Sequence, residues 1–215
     1  MDFSAAWAYK TLLLNGFAVT IELSILAIIT GTLLGFVAGL SQTSKWAILK
    51  YPTKLYIEIF RGSPLLIQLF MVFYGLPYLG IDISIFAATL LVFTLYGGAY
   101  IAEIIRSGIE SIPKGQFEAS QSLGLTYRQM MQKIILPQTL KVSLPPLMGF
   151  YIGLIKDTSV ASIIGYMEVV KEGQMIINIT AKPFEIYFVI SVMYFIISYP
   201  LSLLVDWIEG RNKHA

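Results

Sequence analysis

Residues 118–137 read EASQSLGLTYRQMMQKIILP, a polar, patterned segment set between long apolar runs. Gly124 stands where a helix C-terminus places a left-handed residue, a conformation that is cheap only without Cβ. Thr126 and Gln129 have the T-x-x-Q spacing of a capping box, in which hydroxyl and amide satisfy the first free N–H groups of the next helix. Pro137 cannot continue that helix without a kink. The spacing predicts helix, turn and helix, a hinged elbow; an ordinary connecting loop is the plainer alternative.

Outward from this segment, composition bounds the rest. The chain has 215 residues, 56% hydrophobic and only 13% charged, far more apolar than a soluble domain of this size. An integral membrane protein is expected. With no cysteine and a single histidine, His214, in the tail, disulfides and metal sites are not expected. A net charge of +2 is too small to imply nucleic-acid binding. Asp2 precedes any lysine and the first apolar run exceeds the about 7–15 residues of a signal h-region, so the first span is expected to stay.

A crossing helix needs about 20 apolar residues. Such runs are 17–40, 55–79, 83–105 and 184–207, and a further run, 134–155, is interrupted by Pro145-Pro146. Five spans are predicted, the fourth kinked, in one all-α membrane domain covering 1–215, with the loop of about 109–137 on one side. With the N-terminus outside, the inner basic set is Lys45, Lys50, Lys54, Arg61, Arg106, Lys114, Arg128, Lys133, Lys141, Arg211 and Lys213. The outer set is Lys10, Lys156, Lys171 and Lys182. Eleven against four predicts N-terminus out and C-terminus in, which puts the elbow in the cytoplasm. Gly31, Gly35 and Gly39 fall on one helical face and are read as a packing surface.

Charges within spans are costly and face the bundle interior. Here they are Glu22, Glu58, Arg61, Glu103, Arg106, Lys156 and Asp157. Glu58 with Arg61 and Glu103 with Arg106 are each i, i+3 and can neutralise each other on one helix; a substrate role is the alternative. Glu22 sits mid-span with no basic residue nearby in sequence, so its partner must come from another helix or a ligand. Residues 159–170 read as a short apolar helix capped by Thr158 or Ser159, which would re-enter the membrane and aim its N-terminus at an anion. Alternatively, Asp157 caps it and pairs with Lys156. Acids outnumber bases four to three in this set, which favours a cationic side chain on a zwitterionic substrate.

Glu118-Ala119-Ser120, Gly124, and Ile134-x-Leu136-Pro137 resemble, in type and spacing, the EAA loop of ABC importer permeases, with Ser120 where that family usually has alanine. Arg61-Gly62-Ser63-Pro64-Leu65-Leu66-Ile67-Gln68, 99–106 (AYIAEIIR), 111–116 (SIPKGQ) and Lys156-Asp157-Thr158-Ser159 resemble its polar amino acid branch in the same order. The resemblance implies the type I ABC importer permease fold in a prokaryotic cytoplasmic membrane. It also implies a second permease copy, cytoplasmic ATPase subunits docked at the elbow and an extracytoplasmic binding protein. Substrate-binding candidates are then Glu22, Glu58, Arg61, Ser63, Glu103, Lys156, Asp157, Thr158 and Ser159. Coupling candidates are Glu118, Ala119, Ser120, Gly124, Leu136 and Pro137. No G-x-x-x-x-G-K-[ST] loop is present, so ATP and Mg are expected on a separate subunit and no cofactor on this chain. A glutamine or glutamate importer is the alternative substrate reading. A passive channel needs no patterned elbow, and a membrane enzyme would have to work with carboxylates alone.

Overall fold

The computed structural model describes residues 2–44 and 46–212, of Arg211 and Asn212 the backbone only; Met1, Lys45, Lys213, His214 and Ala215 lie outside the described residues. Every regular element among them is helical. A short α1 (Ser4–Ala8) leads into α2 (Lys10–Gln42), followed by α3 (Ala47–Gly62), α4 (Leu65–Tyr78) and α5 (Ile85–Glu110). The elbow comprises α6 (Lys114–Ser122), α7 (Tyr127–Met130) and a wide π turn, Met131–Ile135, that opens into α8 (Leu136–Asp157). A 3-10 turn, Thr158–Ile164, then leads to α9 (Val169–Thr180) and α10 (Pro183–Asn212).

Four helical segments are long and apolar enough to cross a membrane, 10–42, 85–110, 127–164 and 183–210, and the pair α3–α4 makes a fifth if it crosses as one. Packing shows that it does. A Cβ placed on Gly31 would lie 3.4 Å from Gly98 N, one on Gly35 2.6 Å from Ile101 Cβ, and one on Gly39 2.9 Å from Ile105 Cβ. The three glycines admit α5 at the close approach expected of them, and the partners ascend with the glycines, so α2 and α5 run parallel. Two parallel neighbours require the chain to return between them, and only α3–α4 is available. By the same logic α8 runs back, because Gly108 meets Ser143 while Gly97 meets Leu154. Finally, α10 runs with α2: Asp2 pairs with Lys182 and Phe3 meets Phe188, so both helices start on one face. The chain crosses five times and its described ends lie on opposite faces.

The second span departs from the straight run expected over 55–79. Its halves meet at 107°, because Pro64 forces the residue before it out of helical backbone; Ser63 has φ −124° and ψ 148°. Gln68 clasps the corner, its Nε2 donating to Phe60 O at 2.8 Å and to Ser63 O at 3.0 Å, so carbonyls freed by the break are satisfied. The fourth span, expected to kink at Pro145-Pro146, stays helical through both residues.

Candidate functional site

The elbow is built from the residues that predict it. Gly124 has φ +71°. Thr126 Oγ1 accepts from Gln129 N while Gln129 Oε1 accepts from Thr126 N at 2.9 Å, a closed capping box. Phe117, Leu125, Ile134 and Leu136 pack on a core of Ile105, Ile109, Met130 and Ile135, which fixes the elbow to the end of α5. Its other face stands free: Glu118, Ala119, Gly124 and Pro137 are exposed, and Leu123 is 77% exposed. Ser120 is buried and its hydroxyl donates to Gln116 O at 2.5 Å. The hydroxyl is therefore absorbed by its own helix, as i−4 bonding allows.

The charged residues do not form one site. Arg106 holds Glu103 through both oxygens, at 3.0 and 2.6 Å, and Glu110 at 2.5 Å. The expected Glu103–Arg106 pair is present. The expected Glu58–Arg61 pair is not: Glu58 faces Lys54 at 3.6 Å, and Arg61 turns to Glu103 at 3.5 Å and to the Tyr100 ring at 5.4 Å. A rigid turn at Gly62–Pro64 aims Arg61 across to α5 rather than back along α3. Ser63 Oγ donates to Ile59 O and accepts from Gln68, a corner role.

Further toward the face where α2 begins, Tyr96, Tyr100 and Phe150 form an aromatic wall, Tyr100 stacking on Phe150 at 5.3 Å between ring centres. Asp157 lies near enough to Tyr96 to act on it electrostatically, and Glu22 likewise on Tyr166. Neither Glu22 nor Asp157 has a cation within ion-pair distance among the described residues. Lys156 lines a cleft against α10 with Ser159, Tyr187, Ser191 and Tyr194, and acts on Asp157 electrostatically without an ion-pair contact.

In place of the capped helix expected over 159–170, a short 3-10 segment, Thr158–Ile164, continues directly from α8, and neither Thr158 nor Ser159 caps it. Their hydroxyls donate backward, Thr158 to Ile155 O at 2.6 Å and Ser159 to Lys156 O at 2.8 Å, and Asp157 makes no cap. The chain tightens from α8 into the 3-10 turn and stops at Gly165, φ +90°. The free helix N-terminus comes later, at α9, and Glu168 occupies it: Oε1 accepts from Lys171 N at 2.9 Å and Oε2 from Tyr194 OH at 3.2 Å and Thr20 Oγ1 at 3.5 Å. Burial pushes this carboxyl up to about 7. Glu168 ties α2, α9 and α10 together. Sequence reasoning missed it; an acid three residues before Lys171 at the start of a periodic apolar run is the cap signal that marks it.

Comparison with known proteins agrees with this architecture. Residues 12–214 match the family of binding-protein-dependent transport system inner membrane components. A probable amino-acid ABC transporter permease of Bacillus subtilis, YckA, is 38% identical over 94% of the chain and 89% of its own length. The L-cystine transport system permease TcyB of the same organism is 39% identical over 95% and 88%, and the glutamine transport permease GlnP of Escherichia coli 36% identical over 99% and 98%. A crystal structure of an amino acid ABC transporter with histidines superposes with TM-score 0.92 at 34% identity, covering 98% of this chain and 99% of that one. An inward-facing MetNI methionine transporter shares the fold, TM-score 0.76 at 22% identity over 94% and 96%. The chain belongs to the family of binding-protein-dependent transport system inner membrane components, the permeases of ABC importers.

Proposed function

We propose that this chain is the membrane subunit of an ATP-driven importer of a polar amino acid, with the elbow as its docking point for a separate ATPase. The observation that carries the reading is the elbow: rigidly seated on α5, yet presenting Glu118, Ala119 and Leu123 to solvent. Docked there, two ATPase subunits closing on ATP would draw two elbows together and bias a paired bundle between inward-open and outward-open arrangements. Because α2 ends on the elbow face, the basic-residue count favours that face as cytoplasmic, with the N-terminus outside. ATP and Mg belong to the ATPase, and a binding protein supplies substrate from outside.

For the substrate, Asp157 beside the aromatic wall and Glu22 near Tyr166 are the strongest candidates: among the charged residues the sequence singles out, they are the acids with no cation within ion-pair distance among the described residues, while Glu58 and Glu103 are paired. Two carboxylates without an ion-pair contact favour arginine, lysine or histidine. Relatives named for glutamine support the second reading, in which these acids receive only an α-amino group. The test is uptake and ATPase rate in proteoliposomes with arginine, histidine, glutamine and glutamate and a cognate binding protein. Stimulation confined to arginine and histidine supports the cationic reading; stimulation by glutamine replaces it.

A further inference from the structure

A cavity of about 620 Å³ lies between α2, α3 and α5 on the elbow face, with Gln42, Lys50, Lys54, Arg61, Glu103 and Arg106 in its wall. Lys50, Lys54, Glu58 and Arg61 recur at helical spacing and share one side of α3, the side that lines this chamber. Ile48, Tyr51, Leu55 and Ile59 share another side and are exposed. An amphipathic helix with its apolar side outward and its charged side toward a protein chamber suits the membrane boundary, where hydrocarbon meets the first and headgroups the second.

The charges in the chamber leave donors over. Both oxygens of Glu103 are engaged by Arg106, which also takes Glu110. Arg61 retains only a 3.5 Å contact to that same doubly bonded carboxylate, and Lys54 faces Glu58 at 3.6 Å. Among the described residues Lys50 has no carboxylate within ion-pair distance. Gln42 Nε2 is buried and makes no hydrogen bond of normal geometry, lying only near enough to the already engaged Glu103 to act on it, and a buried amide donor left poorly paired costs about 1–3 kcal/mol. An ammonium, a guanidinium edge and an amide face one space in which the nearest acceptor, Glu103, is already held through both oxygens by Arg106.

We propose that this chamber holds the phosphate of an anionic phospholipid, with Lys50, Arg61 and Gln42 as its donors and the acyl chains lying along Ile48, Tyr51, Leu55 and Ile59. A phosphodiester supplies several acceptor oxygens and one negative charge, which matches the unpaired donors, and basic pockets between helices at this depth bind such headgroups. The substrate's carboxylate fits less well, because its ammonium would meet the same cations.

The test uses the permease with its ATPase partner in nanodiscs containing equal mole fractions of phosphatidylglycerol and phosphatidylcholine. Lipid retained through detergent exchange is counted by mass spectrometry. Preferential retention of phosphatidylglycerol is expected, with affinity falling about fivefold in Lys50→Gln, falling also in Gln42→Leu, and restored in Lys50→Arg. Equal retention of the two lipids, or an undiminished preference in Lys50→Gln, overturns the proposal. Saturable binding of inorganic phosphate in phosphatidylcholine discs, lost in Lys50→Gln and without any phosphatidylglycerol preference, assigns the chamber to a soluble phosphate and overturns the lipid. Lys50 is exposed and has no ion-pair partner among the described residues, and Gln42 Nε2 makes no hydrogen bond of normal geometry, so neither variant is expected to impair folding.

Discussion

Replacing Gly124 by valine isolates the conformational requirement of the elbow. A Cβ at this position meets nothing within 4 Å, so the substitution creates no clash and acts only through φ +71°. A left-handed backbone costs an ordinary L-residue about 1–2 kcal/mol, and a β-branched one is a steric outlier there. That energy corresponds to a shift of about 5–30-fold away from the native elbow. The residue is exposed and outside the core cluster, so the melting temperature of the bundle is expected to move little. Uptake per ATP hydrolysed, measured in proteoliposomes, is expected to fall by roughly that factor. Gly124→Asn, which tolerates the left-handed region, is expected to retain most coupling. Wild-type coupling in Gly124→Val would refute the claim that the elbow's geometry transmits the ATPase stroke.

Other perturbations separate other contacts. Gly35→Val drives its side chain into Ile101 Cβ and Gly98 O, and thermal melting is expected to show a loss of at least about 1–3 kcal/mol; Gly149→Ala, with open space around it, is expected to be neutral or slightly stabilising. Glu168 binds a proton more tightly when folded, at about 7, than at its ordinary value of 4.5, because burial disfavours the charged form. Its contribution to stability is therefore full below about 4.5 and lost as pH rises through about 7, on the order of 3 kcal/mol. Melting profiles across pH 4–8 are expected to be steeper for wild type than for Glu168→Gln, and parallel profiles would dismiss the buried acid as a titrating tie. Glu22→Gln is expected to raise the KM for arginine more than for glutamine; equal effects in the uptake assay would remove Glu22 from the passage.

What could be read from the sequence were features whose cause is local. Gly124, the Thr126–Gln129 box and the glycines at 31, 35 and 39 each announce a backbone angle, a cap or a close approach, and each is found. The corner in the second span is harder to read: 55–79 is mostly apolar, and hydropathy has no direction, so the run alone does not reveal the turn at Pro64. Pairing across helices was hidden as well. Glu58 and Arg61 are correctly spaced to meet, yet Arg61 reaches α5 because the corner reorients it. The Thr158 cap failed for a different reason: hydroxyls near a helix end bond backward as readily as forward, and Glu168 already fills the helix N-terminus that an anion would need.

The most direct test of the account uses the absence of cysteine from this chain. A single Leu123→Cys on the elbow and a single Tyr78→Cys at the opposite end of the second span, 91% exposed, are each reacted with a short bifunctional cross-linker in membranes containing the assembled transporter. Cross-linking of residue 123, and not of residue 78, to the ATPase subunit, with a yield that changes on adding ATP, is the predicted result. An ATPase adduct at residue 78, or none at residue 123, would contradict the assignment of the elbow as the coupling site.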